Sequence, residues 1–154
     1  MIALRPIGPQ DGEAFQAFVR GLSVEARTNR FLFPVKELSP AVLDALTHPD
    51  QARHIGLVAI DGERIVGEAR FVALGDSGHA EFAIAVADGW QRQGLGARLL
   101  GALTAAARRV GLAMLEGEIM RTNVAMLRFI QHAGFRLKAC PGDGRLTVAE
   151  RSLV

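Results

Sequence analysis

The 154-residue chain has no tyrosine, one tryptophan, one cysteine and only two lysines, Lys36 and Lys138. A single cysteine, Cys140, excludes an internal disulfide and fits a reducing setting such as the cytoplasm. No stretch reaches the roughly 20 apolar residues that span a bilayer. The opening Met1-Ile2-Ala3-Leu4-Arg5-Pro6 also lacks the basic start and long apolar run of a signal peptide, so a cytoplasmic protein without membrane attachment is expected. The 18 Lys and Arg against 16 Asp and Glu leave a net charge of +2, and the arginines are scattered, so nothing advertises nucleic acid. The dearth of lysine is read as genomic base composition. No metal site is expected, and the oligomeric state is left open, a homodimer included. With 49% hydrophobic residues the chain can fill one core, so a single domain over residues 1–154 is expected.

What is present concentrates between His79 and Gly111. An alternating apolar strand, Ala80 to Val86, meets a short turn that delivers Gln91-Arg92-Gln93-Gly94-Leu95-Gly96, and an amphipathic helix begins on those glycines and continues through Ala97 to Arg109. Glycines at 94 and 96 carry no Cβ to hold an anion away, and the first N–H groups of a helix have no intrahelical partner. Together with the helix dipole and the Arg92 guanidinium they form a cradle suited to a pyrophosphate. A mononucleotide P-loop is excluded because Ala97-Arg98-Leu99 supplies neither the lysine nor the hydroxyl that such a loop needs after its last glycine. A dinucleotide fingerprint is disfavoured, since Leu99 stands where a third small residue belongs.

Punctuation elsewhere sets the frame. Ile2 to Pro6 reads as an edge strand, and Glu13 to Arg20 as a helix ended by Gly21. Ser23 is an N-cap for a helix to Phe31, with Pro34 beyond it, and Ser39-Pro40 opens another to Thr47. His54 to Ile60 and Arg64 to Ala73 form a hairpin about Asp61-Gly62, and Gly75-Asp76-Ser77-Gly78 turns into the strand before the cradle. After the long helix come a strand, Ala113 to Met120, a helix opened by Asn123, and Gly134-Phe135. A meander feeding a strand-helix-strand unit predicts a mixed sheet flanked by helices. In the stripe Leu95, Leu99, Leu103, Ala107 and Val110 the long helix presents a core face.

Gln91, Gly94 and Gly96 in the pattern Gln/Arg-x-x-Gly-x-Gly/Ala, with a strand before, a helix and strand after, then Asn123-Val124-Ala125-Met126-Leu127 and Gly134-Phe135, resemble the coenzyme A loop and core of the GNAT N-acetyltransferase superfamily. Arg27-x-x-Arg30-Phe31, Ala80-Glu81-Phe82-Ala83 and Val86-Ala87-Asp88 are similar to the GNAT domain of bacterial Pat-type protein lysine acetyltransferases, over nearly the whole chain and more weakly before His54. The resemblance implies an α/β (α+β) fold: a mixed, mostly antiparallel sheet of six to seven strands with about four helices. It also implies acetyl-CoA as donor and an amine acceptor, a protein lysine or a small molecule, the former leading. A non-catalytic acyl-CoA sensor is the alternative. Gln91, Arg92, Gln93, Gly94, Leu95, Gly96 and Ala97 then hold the pyrophosphate. Splayed central strands leave backbone groups near Ile84, Ala85 and Val86 for the pantetheine, and Asn123 adds a cofactor contact besides capping its helix.

An amine with a pKa near 10.4 is a free nucleophile in only about one molecule in a thousand at neutral pH, so a base is needed. Alternation places His79, Glu81, Ala83 and Ala85 on one strand face, and the two alanines leave room beside Glu81 for a ligand arm. By pattern alone Glu81 is equally a surface carboxylate, but the resemblance implies that it is the general base. Glu118, five residues before Asn123, is the rival, and Glu116 beside it is read as structural. Many relatives place a proton-donating tyrosine seven residues after the asparagine. Here that residue is Ile130, so no general acid is assigned.

Overall fold

A computed structural model describes residues 1–154. The strands are β1 (Ala3–Pro6), β2 (His54–Asp61), β3 (Arg64–Ala73), β4 (His79–Val86), β5 (Met114–Met120), β6 (Arg136–Ala139) and β7 (Leu146–Ser152). The helices are α1 (Gly12–Gly21), α2 (Val24–Phe31), α3 (Pro40–Thr47), α4 (Leu95–Arg109) and α5 (Val124–His132). All seven strands join one sheet in the order β1-β2-β3-β4-β5-β7-β6, and only the β4–β5 pair, linked through α4, is parallel. This is the expected mixed, mostly antiparallel sheet, with five α-helices where about four were expected. The first hairpin turns on Gly62-Glu63, because Asp61 and Arg64 already pair; the expected Asp61-Gly62 turn is displaced by one residue.

Both faces of the sheet are covered. On one, the α4 stripe of Leu95, Leu99, Leu103 and Ala107 meets Ala80, Phe82 and Ile84 of β4 and Leu115 of β5, with Ile130 of α5 joining the same cluster. On the other, Phe15, Phe18 and Val19 of α1 pack with Val58, Ile65 and Ala85. Each fully buried leucine contributes about 1.5–3 kcal/mol, so α4 is pinned chiefly by Leu99 and Leu103. Val110, expected in that stripe, is 45% exposed because the helix has ended at Arg109. The sandwich explains β3, where nearly every residue is buried irrespective of alternation.

Ser23, Ser39 and Asn123 all cap as their chemistry predicts. Their side-chain oxygens accept hydrogen bonds from the N–H groups of Ala26, Val42 and Met126. No helix is long and apolar enough to cross a membrane.

Candidate active site

The parallel β4–β5 pairing covers only His79 with Met114, Ala80 with Leu115 and Glu81 with Glu116. Beyond Glu81 the strands part. Gly117 marks the divergence, since a Cβ there would lie 2.7 Å from the Phe82 ring; only glycine lets β5 pass β4 this closely. The gap opens into a cleft of about 670 Å³. One wall is the end of β4, the turn after it and the start of α4, and another is α2.

Backbone alternation decides which groups of β4 face the gap. The Ala87 N–H donates to the Val66 carbonyl at 2.8 Å. Stepping back by two along the ladder, the peptide groups of Ala85 and Ala83 turn toward β3, where Glu68 and Arg70 oppose them. Those of Ile84 and Val86 therefore turn toward the cleft. Ala85, expected to offer backbone groups beside them, lines the cleft, but its peptide groups turn toward β3.

The cradle is built of unusual backbone. Arg92 at φ 62° and Gly94 at φ 81° both lie in the left-handed region, and Gly94 is the N-cap of α4 with no side-chain cap. The first α4 N–H groups are left for another acceptor. Gly96 differs from Gly94: its φ is ordinary, and an added Cβ would meet the Phe129 ring at 3.5 Å, a normal contact. Gln91 donates through Nε2 to the Val86 carbonyl at 3.2 Å and ties the loop to β4. Gln91, Arg92, Gly94, Gly96 and Ala97 line the cleft. Gln93 does not; its amide bonds the Gly89 carbonyl. Leu95 has its side chain in the core and offers only its N–H.

Of the carboxylates, Glu118 lines the cleft and Glu81 stands just outside the lining, on the α2 face of the sheet. Burial first, then the negative charges of Glu118 and Glu116, hold the Glu81 carboxyl above the usual carboxylate range. The Glu81 side chain nonetheless keeps surface open to solvent. Glu81 makes no hydrogen bond, whereas Glu116 lies 3.4 Å from His79. Asn123 lines the cleft while its Oδ1 caps α5 at 3.3 Å, and its Nδ2 is unengaged. The Cys140 thiol is pushed up by burial and by Glu118 and Asp143, and it does not line the cleft.

Several cleft residues were invisible to pattern reading. Asp88 accepts from the Ser23 N–H at 3.1 Å and thereby fastens α2 to the end of β4. Arg30 reaches from α2 to the fully buried Glu68, which also holds Arg70 at 2.9 Å. Burial alone would raise the Glu68 pKa; the two guanidiniums outweigh it and hold the carboxyl below its ordinary value. The Arg27-x-x-Arg30-Phe31 and Val86-Ala87-Asp88 runs and the Ser23 cap were the sequence signals here, but none of them revealed these contacts.

Comparisons with known proteins agree with this geometry. A family model described as the acetyltransferase (GNAT) family matches residues 21–135. The chain is 34% identical to an acetyltransferase of Pseudomonas aeruginosa over 156 residues, covering 99% of this chain and 84% of that protein. The crystal structure of the GNAT domain of PAT from S. lividans superposes with a TM-score of 0.91 at 27% identity, covering 97% of this chain and 89% of that one. An acetyltransferase of Salmonella typhimurium solved with its cofactor acetyl-CoA superposes with a TM-score of 0.81 at 22% identity, over 99% and 94% of the two chains.

Proposed function

Because this chain belongs to the GNAT acetyltransferase family, we propose that it uses acetyl-CoA to acetylate a primary amine, that of a protein lysine, by direct attack with Glu81 as general base. The observation that carries this reading is the gap between β4 and β5, which opens onto the uncapped start of α4. One end offers N–H groups and Arg92 to a pyrophosphate, and the other offers carboxylates to an amine. The S. typhimurium relative, solved with acetyl-CoA, supports the choice of donor. The choice of a lysine acceptor rests on the resemblance of the Arg27-x-x-Arg30-Phe31, Ala80-Glu81-Phe82-Ala83 and Val86-Ala87-Asp88 runs to Pat-type protein lysine acetyltransferases.

In this mechanism the Ile84 and Val86 peptide groups align the pantetheine as an added strand would. Asn123 steadies it through Nδ2. The Val86 N–H faces the thioester carbonyl and takes the charge that develops on its oxygen, worth roughly 3–4 kcal/mol for such a donor. Glu81 takes the amine proton, the nitrogen bonds the thioester carbon, and the C–S bond breaks to release coenzyme A as its thiolate, which is protonated from solvent. The raised proton affinity of Glu81 makes it a stronger base than an ordinary carboxylate. A second reading makes Glu118 the base, since it does line the cleft.

The test is turnover of Glu81→Gln and Glu118→Gln by thiol release from acetyl-CoA with lysine peptides. Glu81→Gln is expected to lower kcat about 100-fold with the KM for acetyl-CoA unchanged. A normal rate in Glu81→Gln together with loss in Glu118→Gln transfers the role to Glu118.

A further inference from the structure

Beneath α2, two buried guanidiniums share one carboxylate. Glu68 has no exposed surface, Arg70 is ion-paired to its Oε2 and Arg30 to its Oε1. Arg70 spends its Nη1 on the Leu46 carbonyl and on His54 Nε2, at 2.9 and 3.0 Å. Arginine only donates, so His54 accepts there as the neutral ring. Burial, then the neighbouring Arg70 charge, lower the His54 pKa in the same sense. The cluster thus holds two positive charges against one negative. Surplus charge in a buried place is costly unless it reaches water or a counter-ion.

Only one of the two cations reaches open space. Arg30 is 10% exposed and lines the cleft, whereas Arg70 is 4% exposed and does not. The Nε of Arg30 is held by Glu68, and its face lies on the Phe31 ring, 4.6 Å from Cζ to centroid. Neither Nη makes a hydrogen bond within the protein. A guanidinium locked on one edge and one face, with its remaining donors unengaged at a cleft wall, is a preorganised fork for a planar anion. Ala83 and Ala85 oppose Arg70 and Glu68 across the ladder, so the whole cluster shares the sheet face of Glu81.

We propose that the Nη edge of Arg30 is a carboxylate subsite for the acceptor, so that the favoured amine is one bearing a carboxylate nearby. This rests on the acetyltransferase reading of the same cleft. A carboxylate could come from a free amino acid or from an acidic residue beside a protein lysine. Two matched pairs separate these sources: L-lysine against L-lysinamide, and a Glu-Lys-Glu peptide against Gln-Lys-Gln, both with blocked ends. Each is followed by calorimetric binding to the CoA-loaded protein and by thiol release from acetyl-CoA. At least one pair is expected to favour the carboxylate by tenfold or more. Arg30→Met should abolish that preference with acetyl-CoA affinity unchanged, and Arg30→Lys, which keeps the charge on Glu68, should retain part of it in a folded protein. Preference below twofold in both pairs overturns the proposal. So does a preference that survives in Arg30→Met, or a loss confined to acetyl-CoA affinity. If carboxylate binding is selective but no acceptor is acetylated, the subsite stands and the acetylation reading fails.

Discussion

The two walls of the cleft are made by different means: the donor side, from Val86 to Ala97, presents mostly backbone, whereas the α2 side presents side chains anchored on a buried ionic cluster. Its donor residues lie within about a dozen positions of one another and owe their geometry to local conformation, the left-handed Gly94 and the start of α4. The α2 wall joins residues 38 apart in the chain, Arg30 and Glu68, and a further long-range bond runs from Ser23 to Asp88. A backbone wall resists side-chain substitution, as the proposed donor site requires. A side-chain wall is readily varied, as the proposed acceptor subsite requires.

The comparison is tested most severely at its ionic anchor. Glu68→Ala leaves the buried Arg70 and the inward edge of Arg30 without their shared anion, and should cost about 3–5 kcal/mol. That lowers the melting temperature by roughly 6–20 °C in a chain of this size. A change under 2 °C in a calorimetric melt would show that the α2 wall does not depend on the cluster. On the donor side, Gly94→Ala forces a side chain into φ 81° and should lose about 1–2 kcal/mol, with weaker acetyl-CoA binding. Gly96→Ala, with ordinary φ and only the Phe129 contact, should fold as the parent does, so equal losses in the two variants would remove the distinction drawn between them. Asn123→Ala removes the α5 cap and should cost about 1 kcal/mol in denaturant melts. Any additional rise in the KM for acetyl-CoA reports the contact through Nδ2. The smallest effect lies between the walls. After burial, the Glu118 charge raises the proton affinity of Glu81, and the base works when deprotonated, so Glu118→Gln should move the acid limb of kcat/KM to lower pH. A shift to higher pH contradicts the coupling.

The donor half was readable because its signals are local. Turn glycines, the strand alternation before them and the helical stripe after them each follow from steric rules within a few residues. The caps at Ser23, Ser39 and Asn123 belong to the same class. The α2 wall was not readable in this way. Glu68 and Arg70 sit in a strand whose polar positions suggest an exposed face, and nothing in Arg64 to Ala73 reveals that α1 and α2 cover it. The same blindness affects Glu81, whose room beside Ala83 and Ala85 was foreseen while its place just outside the cleft lining was not.

By itself, then, the sequence determined the order of elements and the glycine turn onto the start of α4, because backbone sterics and helix-end chemistry act over short distances, whereas Glu81 and Glu118 were singled out as candidate bases only by the family resemblance. Only the tertiary structure decided which peptide groups of β4 face the gap and which strand they leave behind. It also decided that Arg30 and Arg70 share one buried carboxylate. Those outcomes depend on the parting of β4 from β5 and on the layering of α2 over the sheet, where charges far apart in the chain meet in a medium that leaves none of them indifferent to its partner.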